Sequence, residues 1–144
     1  MSVTEAREMA VRVHADQRDR DGSFHIAHVA RVAEGVAADD CAQRVAWLHD
    51  VIEDSELTAE DLTGRLTADE LQALKLLTHN TATESYEAYV ERIIDATGTA
   101  GRLARAVKQA DMLDNLRRRA RDHDPAVAQY GLALAALWAT HPDA

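Results

Sequence analysis

Apolar residues recur along this chain at the three- and four-residue spacing of a single helix face, with polar runs between them. Ala6, Met9, Ala10, Val13 and His14 mark a first helix, capped at Thr4 and ending near Gln17. The charged run Arg18-Asp19-Arg20-Asp21-Gly22-Ser23 is a loop punctuated by glycine. A second helix turns Ile26, Val29, Ala30, Val32, Ala33 and Val36 inward, with His28 one position off that stripe. Asp39 and Asp40 cap a third helix, whose middle is the stretch from Ala46 to Asp54, with Val45, Leu48 and Ile52 on its apolar side. Thr58 opens a short helix anchored by Leu62 and Leu66. Thr67 caps the next, with Glu70 completing a capping box and Leu71, Leu74 and Leu77 inward. After a polar loop over 78–83, residues 84–96 form a helix that buries Tyr86, Tyr89, Val90, Ile93 and Ile94. Gly98 and Gly101 bracket a turn, and a long helix runs from about Arg102 to Arg121. Asp124-Pro125 begins a last helix carrying Leu132, Leu134, Leu137 and Trp138. With no convincing strand, repeat or linker, the expectation is a compact all-α domain spanning 1–144.

Composition narrows the class. A chain of 144 residues with 47% hydrophobic content suits one buried core. No stretch approaches the roughly 18 apolar residues of a membrane span, and the N-terminus lacks the apolar run of a signal peptide. The single cysteine, Cys41, has no partner in the chain and reads as a small filler; a reducing, cytoplasmic setting fits it. A net charge of −9 disfavours a general nucleic-acid binder. A small anionic substrate remains compatible, because a bound cation and local arginines reverse the local field. Monomer and homodimer are both open.

The chemistry lies at misplaced polar residues. On a helix His49 and Glu53 are neighbours, as are Asp50 with Glu53 and with Asp54. Three carboxylates buried together repel one another and raise their own pKa values, and a divalent ion relieves that strain. A solvated acidic edge is the plain alternative. Asp111 is a carboxylate on the stripe of Leu103, Val107 and Ala110, and Asn115 stands one turn further on. His28, His49, Asp50 and Asp111 together make an imidazole–carboxylate set suited to manganese, iron, zinc or magnesium. Such an ion acidifies water that it holds, and Glu53 and Asp54 are then available to orient that water or take its proton. Singly, His28 reads as a hydrogen-bonded histidine, Asp111 as a partner of Lys108, and Asn115 as a surface or capping amide. Only convergence in space joins them.

The order His28, then His49-Asp50, then Asp111 resembles the HD superfamily of metal-dependent phosphohydrolases. More closely, it resembles the hydrolase domain of the Rel/SpoT alarmone enzymes and the small alarmone hydrolases. The matching features are His14-x-x-Gln17, Gly22 with His28 six residues later, and Leu48-His49-Asp50-Val51-Ile52-Glu53-Asp54. Leu77-Thr78, Ser85-Tyr86 and the run from Val107 to Asn115 continue the match over about residues 5–130. The resemblance implies a helical fold around one metal, usually manganese, held by His28, His49, Asp50 and Asp111. It makes Glu53 and Asp54 the catalytic carboxylates and has Asn115 contact the nucleotide's sugar or phosphate. The reaction it implies removes pyrophosphate from the ribose 3′-oxygen of guanosine tetra- or pentaphosphate. The alternatives are an HD-type phosphatase releasing orthophosphate from another nucleotide, and a non-catalytic metal- and nucleotide-binding sensor. A sensor has no use for the intact Glu53-Asp54 pair.

The departures from the family pattern fall on the base pocket. The family's loop carries an adjacent Arg and Lys, the first stacking on guanine and the second meeting phosphate. Here Asp19 takes the stacking position and Arg20 the phosphate position, and Arg18 stacks only if the loop shifts by one. Phe24-His25 replaces the usual Pro-Tyr and offers a substitute aromatic face. Arg117 or Arg118 stands where the family often has a small hydroxyl. The run from Arg117 to Arg121 either holds a polyphosphate or simply suits a helix C-terminus. Arg20, Arg18, Asn115 and Lys108 are the candidate substrate contacts. His79 lies at a pocket mouth or is an ordinary loop histidine.

Overall fold

The structure, a computed structural model, describes residues 1–140. In order, the helices are α1 (Val3–Val13), α2 (His25–Gly35), α3 (Asp40–Leu48), α4 (Val51–Asp54), α5 (Ala68–Leu77), α6 (Tyr86–Asp95), α7 (Gly98–Arg121) and α8 (Val127–Thr140). The chain is all-α, and no helix among the described residues is long and apolar enough to cross a membrane. The long α7 is the spine against which α2, α3, α5, α6 and α8 pack. The fully buried Val32, Val45, Leu48, Leu74, Ile93 and Leu103 form the shared core.

Several boundaries differ from the sequence expectation, each for a local reason. Helix α1 is capped by Ser2, not Thr4. The Ser2 hydroxyl accepts from the Glu5 N–H at 3.0 Å while the Glu5 carboxylate accepts from the Ser2 N–H at 2.6 Å. The box expected at Thr67 is half made. Thr67 accepts from the Glu70 N–H at 3.2 Å, but the buried Glu70 carboxylate turns to Arg44 at 2.6 Å. The segment from Thr58 narrows to one 3₁₀ turn, Glu60–Leu62. Helix α7 starts earlier than expected, at Gly98, whose φ of +71° suits glycine. Gly101 lies inside its first turn. In α8, Leu137 is buried, yet Leu132 and Trp138 are 74% and 58% exposed.

The most consequential difference lies at Leu48–Val51. No continuous helix runs through the stretch. Helix α3 stops at Leu48, His49 and Asp50 form a turn, and α4 resumes at Val51. The His49 ring Nδ1 meets the Ala46 carbonyl at 2.6 Å, and the His49 N–H reaches that same oxygen at 3.5 Å. Ring and backbone thus compete for one acceptor, and the chain is redirected between the two helices.

An added Cβ at Gly101 would stand against the Ala96 carbonyl well inside van der Waals contact, whereas one at Gly131 meets nothing within 4 Å. Gly101→Ala is therefore expected to destabilise the protein by about 1–3 kcal/mol. Gly131→Ala should be neutral or stabilising by up to about 1 kcal/mol. Urea denaturation followed by circular dichroism checks both.

Candidate metal centre

Three helices and one turn bring the expected polar residues together. One donor atom each from His28, His49 and Asp111 lies within 4.8 Å of the other two, and all three residues are buried. His28 Nε2 is 2.9 Å from Asp111 Oδ1, and His49 Nε2 is 3.6 Å from that oxygen and 3.3 Å from Asp50 Oδ2. Donors about 2.1 Å from one ion stand roughly 3 Å apart when adjacent and about 4.2 Å apart when opposite. On that measure the Asp111 oxygen and the two histidine nitrogens suit a single divalent ion, and Asp50 adjoins them through His49. His28 Nδ1 bonds Asp114 Oδ2 at 2.7 Å, and Asp114 is itself clasped by Arg31 at 2.7 and 3.1 Å. With Nδ1–H given to an oxygen, each ring keeps its Nε2 lone pair for a ligand, as metal-binding histidines do. His49 Nε2 is buried and takes no hydrogen bond. An orphaned ring nitrogen between two carboxylates is what a ligand position requires.

The electrostatics follow from burial opposed by pairing. Burial pushes the Asp111 carboxyl up, but the Lys108 ammonium at 2.9 Å and the imidazoles of His28 and His49 hold it well below the usual range. Burial likewise acts on Asp50 and is overcome by His49 and His25, which hold it at about 2. Burial pushes His28 down, yet its bonds to Asp111 and Asp114 raise it to about 9. His28 is therefore an imidazolium at neutral pH whenever no cation takes its place.

Glu53 and Asp54 are held beside this cluster from two sides. One Glu53 oxygen accepts from the His79 backbone N–H at 2.6 Å. Burial, followed by the nearby charge of Asp50, raises the Glu53 pKa despite that bond. His79 stacks flat on Tyr89, with ring centroids 4.6 Å apart and planes at 8°. Its loop is thereby fixed, and His79 is more than an ordinary loop residue. The Gln17 amide donates to Asp54 Oδ2 at 3.0 Å.

Of the expected substrate contacts, Arg20 and Asn115 line one cleft of about 580 Å³ that also includes Asp19, Arg118 and Arg119. Asn115 Nδ2 is 3.3 Å from Asp111 Oδ1, linking that cleft to the donor cluster. Arg18 is engaged elsewhere: its guanidinium covers Phe24 at 3.9 Å and donates to the Gly22 carbonyl at 2.9 Å. Lys108 is buried against Asp111, with its Nζ 4.9 Å from the Tyr89 ring centroid. Asp19, at the position expected to stack on a base, is bonded to His25 Nδ1 at 2.7 Å and to Arg118 at 2.8 Å. His25 Nε2 then reaches Asp50 Oδ2 at 2.8 Å. Three of the departures from the family pattern, Asp19, His25 and Arg118, thus satisfy one another. Sequence reasoning missed that chain of contacts, and it missed Asp114 as the orienting partner of His28. The usable signal for Asp114 was a second acidic residue three positions past Asp111 on the same face.

On an all-helical scaffold, two histidines and Asp111 thus converge beside Asp50, an arrangement that resembles HD-type metal-dependent hydrolase domains. No family model matches the chain. Over 120 residues it is 30% identical to the guanosine-3′,5′-bis(diphosphate) 3′-pyrophosphohydrolase MESH1 of Drosophila melanogaster. The alignment covers 78% of this chain and 66%, just under two thirds, of that protein's length. The fold is similar to a solved structure of a metazoan orthologue of SpoT described as hydrolysing ppGpp and acting in starvation responses. The TM-score is 0.77 at 23% identity, covering 96% of this chain and 84% of that one. In sequence and in fold the chain is thus similar to HD-domain, Rel/SpoT-like hydrolases.

A pH prediction follows for metal-stripped protein. Because the folded His28 pKa is raised, its stabilisation is fully present below about pH 6.5 and is lost as pH rises through about 9. The melting temperature of chelator-treated protein should fall across that window. The fall should be smaller in His28→Gln, and equal falls in both would remove His28 from the account.

Proposed function

We propose that this chain is a manganese-dependent phosphohydrolase that removes pyrophosphate from the ribose 3′-oxygen of guanosine tetra- or pentaphosphate-type nucleotides in the cytoplasm. The observation that carries this reading is the convergence of the His28, His49 and Asp111 donors within 4.8 Å, beside Asp50, Glu53 and Asp54. Similarity to a guanosine-3′,5′-bis(diphosphate) 3′-pyrophosphohydrolase supports the reaction type, and the mixed imidazole–carboxylate set suits a borderline or hard ion. His28, His49, Asp50 and Asp111 are the proposed ligands. A divalent ion held there supplies Lewis acidity and an acidified water.

The chain's own groups do the rest. Lys108 holds Asp111 Oδ2 at 2.9 Å and thereby leaves Oδ1 to the histidine side. Glu53, its pKa raised by burial, is suited to take a proton from the attacking water. Water adds to the phosphorus on O3′, the P–O3′ bond breaks, and pyrophosphate leaves. The proton taken by Glu53 returns to O3′. Asp54, anchored by Gln17, orients the water. Arg20, its side chain 83% exposed on the cleft rim, and Asn115 are assigned to phosphate and sugar. Arg18 and Lys108, engaged by Phe24 and Asp111, are not.

A second reading rests on its own observation. With Asp19 bonded to His25 and Arg118, no guanidinium is offered for stacking at that position. That favours a nucleotide other than guanosine, or a phosphatase that releases orthophosphate. A panel of 3′- and 5′-phosphorylated nucleotides assayed with manganese separates the readings. Pyrophosphate from guanosine 3′-diphosphates is the expected product, orthophosphate favours the second reading, and binding with no product from any member favours a sensor.

Glu53→Gln should keep its manganese and lose about 10²–10⁴ in kcat. Full turnover in that variant would remove Glu53 from the mechanism. Asp50→Ala and His28→Ala should stay folded by circular dichroism yet lose manganese binding by calorimetry, together with activity. Unchanged affinity in both would refute the ligand assignment.

A further inference from the structure

A second buried histidine cluster lies beside the first. It draws His14 from the turn after α1, His25 from the start of α2 and Asp54 from the end of α4. One donor atom of each lies within 4.8 Å of the other two. His25 Nε2 is 3.9 Å and His14 Nδ1 is 3.8 Å from Asp54 Oδ2. The two rings meet edge to face with centroids 4.8 Å apart. His14 is fully buried and His25 is 8% exposed.

Three observations distinguish this cluster from a chance gathering of polar groups. First, both rings have Nδ1 bonded to an oxygen, His14 to Gln17 Oε1 at 2.7 Å and His25 to Asp19 Oδ1 at 2.7 Å. This repeats the arrangement of His28 on Asp114 and His49 on the Ala46 carbonyl. An outer oxygen on one ring nitrogen orients the other nitrogen's lone pair toward a metal. Second, His14 Nε2 is buried and has no hydrogen-bond partner, as is His49 Nε2 in the first cluster. Each cluster therefore contains one buried ring nitrogen without a hydrogen-bond partner, where native interiors normally leave none. Third, the clusters share a carboxylate. Asp50 Oδ2 stands 2.8 Å from His25 Nε2 and 3.3 Å from His49 Nε2.

We propose that His14, His25 and Asp54, with Asp50 as the shared carboxylate, form a second divalent-cation site adjacent to the first, a proposal that rests on reading the first as a metal centre. Two imidazoles and two carboxylates suit manganese, iron or zinc. Paired ions bridged by one carboxylate grip a phosphoryl group from two sides. The two sites fill in order. The deeper one, built on Asp111 and neutralised on one flank by Lys108, is the tighter. The outer one, with Asp54 partly open to solvent, is the weaker.

The test is a titration of metal-stripped full-length chain with manganese alone, followed by electron paramagnetic resonance. The wild-type protein should take up two ions per chain, and its low-temperature spectrum should broaden through spin coupling as the second enters. His25→Phe should bind one ion and give the sharp six-line signal of an isolated ion. His14→Gln, a milder change in a fully buried position, should do the same. Retained circular dichroism in either variant qualifies it for the comparison. One ion in the wild type, removed by His28→Ala and indifferent to His25→Phe, overturns the second site and leaves the first standing. Two ions retained in both second-site variants overturn it as well. No bound ion in the wild type overturns both sites together.

Discussion

A carboxylate buried on the inward face of the longest helix is the constraint that the rest of this structure satisfies. Asp111 is 6% exposed. Desolvating a carboxylate costs several kcal/mol unless charge and hydrogen bonds compensate it. Lys108 compensates it from within α7, His28 from α2, His49 from the turn after α3, and Asn115 from one turn further along α7. Helices α2 and α3 lie against α7. The polar cluster and the apolar core thus depend on the same packing. A shift of either helix would strand a charge as well as open a void.

On the proposed reading, the same compensation prepares the site for a cation. His28, its pKa raised to about 9 by Asp111 and Asp114, would on the proposed reading give up its proton to a divalent ion, so that metal binding and protonation would compete for one locus. Outward from this locus, Asp50 is bonded to His25, His25 to Asp19, and Asp19 to Arg118. The expected base pocket and Asp50, a proposed ligand, are therefore the two ends of one hydrogen-bonded chain. On the proposed reading, a change at Asp19 or Arg118 would reach Asp50 through His25 and so link substrate preference to metal affinity.

Much of this was legible in the sequence. The helical periodicity placed every major helix, and the odd carboxylate among Leu103, Val107 and Ala110 pointed to Asp111 because an apolar stripe admits a charge only for a reason. The break at His49-Asp50 was not legible. It arises because a ring nitrogen takes the Ala46 carbonyl, and local periodicity contains no term for that competition. Glu70 read as half of a capping box because its pairing with Arg44, 26 residues away, is a tertiary contact. Asp19, His25 and Arg118 each looked like an isolated departure from the family pattern. Their compensation spans α2, the preceding loop and the far end of α7, and it appears only once those segments meet. Leu132 and Trp138 read as core residues from composition, yet their side of α8 is turned outward.

The most direct test of the central claim is an anomalous-scattering map from crystals soaked in manganese. The account predicts a peak bonded to Nε2 of both His28 and His49 and to a carboxylate oxygen of each of Asp50 and Asp111. Ordered manganese elsewhere on the chain, with those four side chains keeping only their hydrogen bonds to one another, would contradict it.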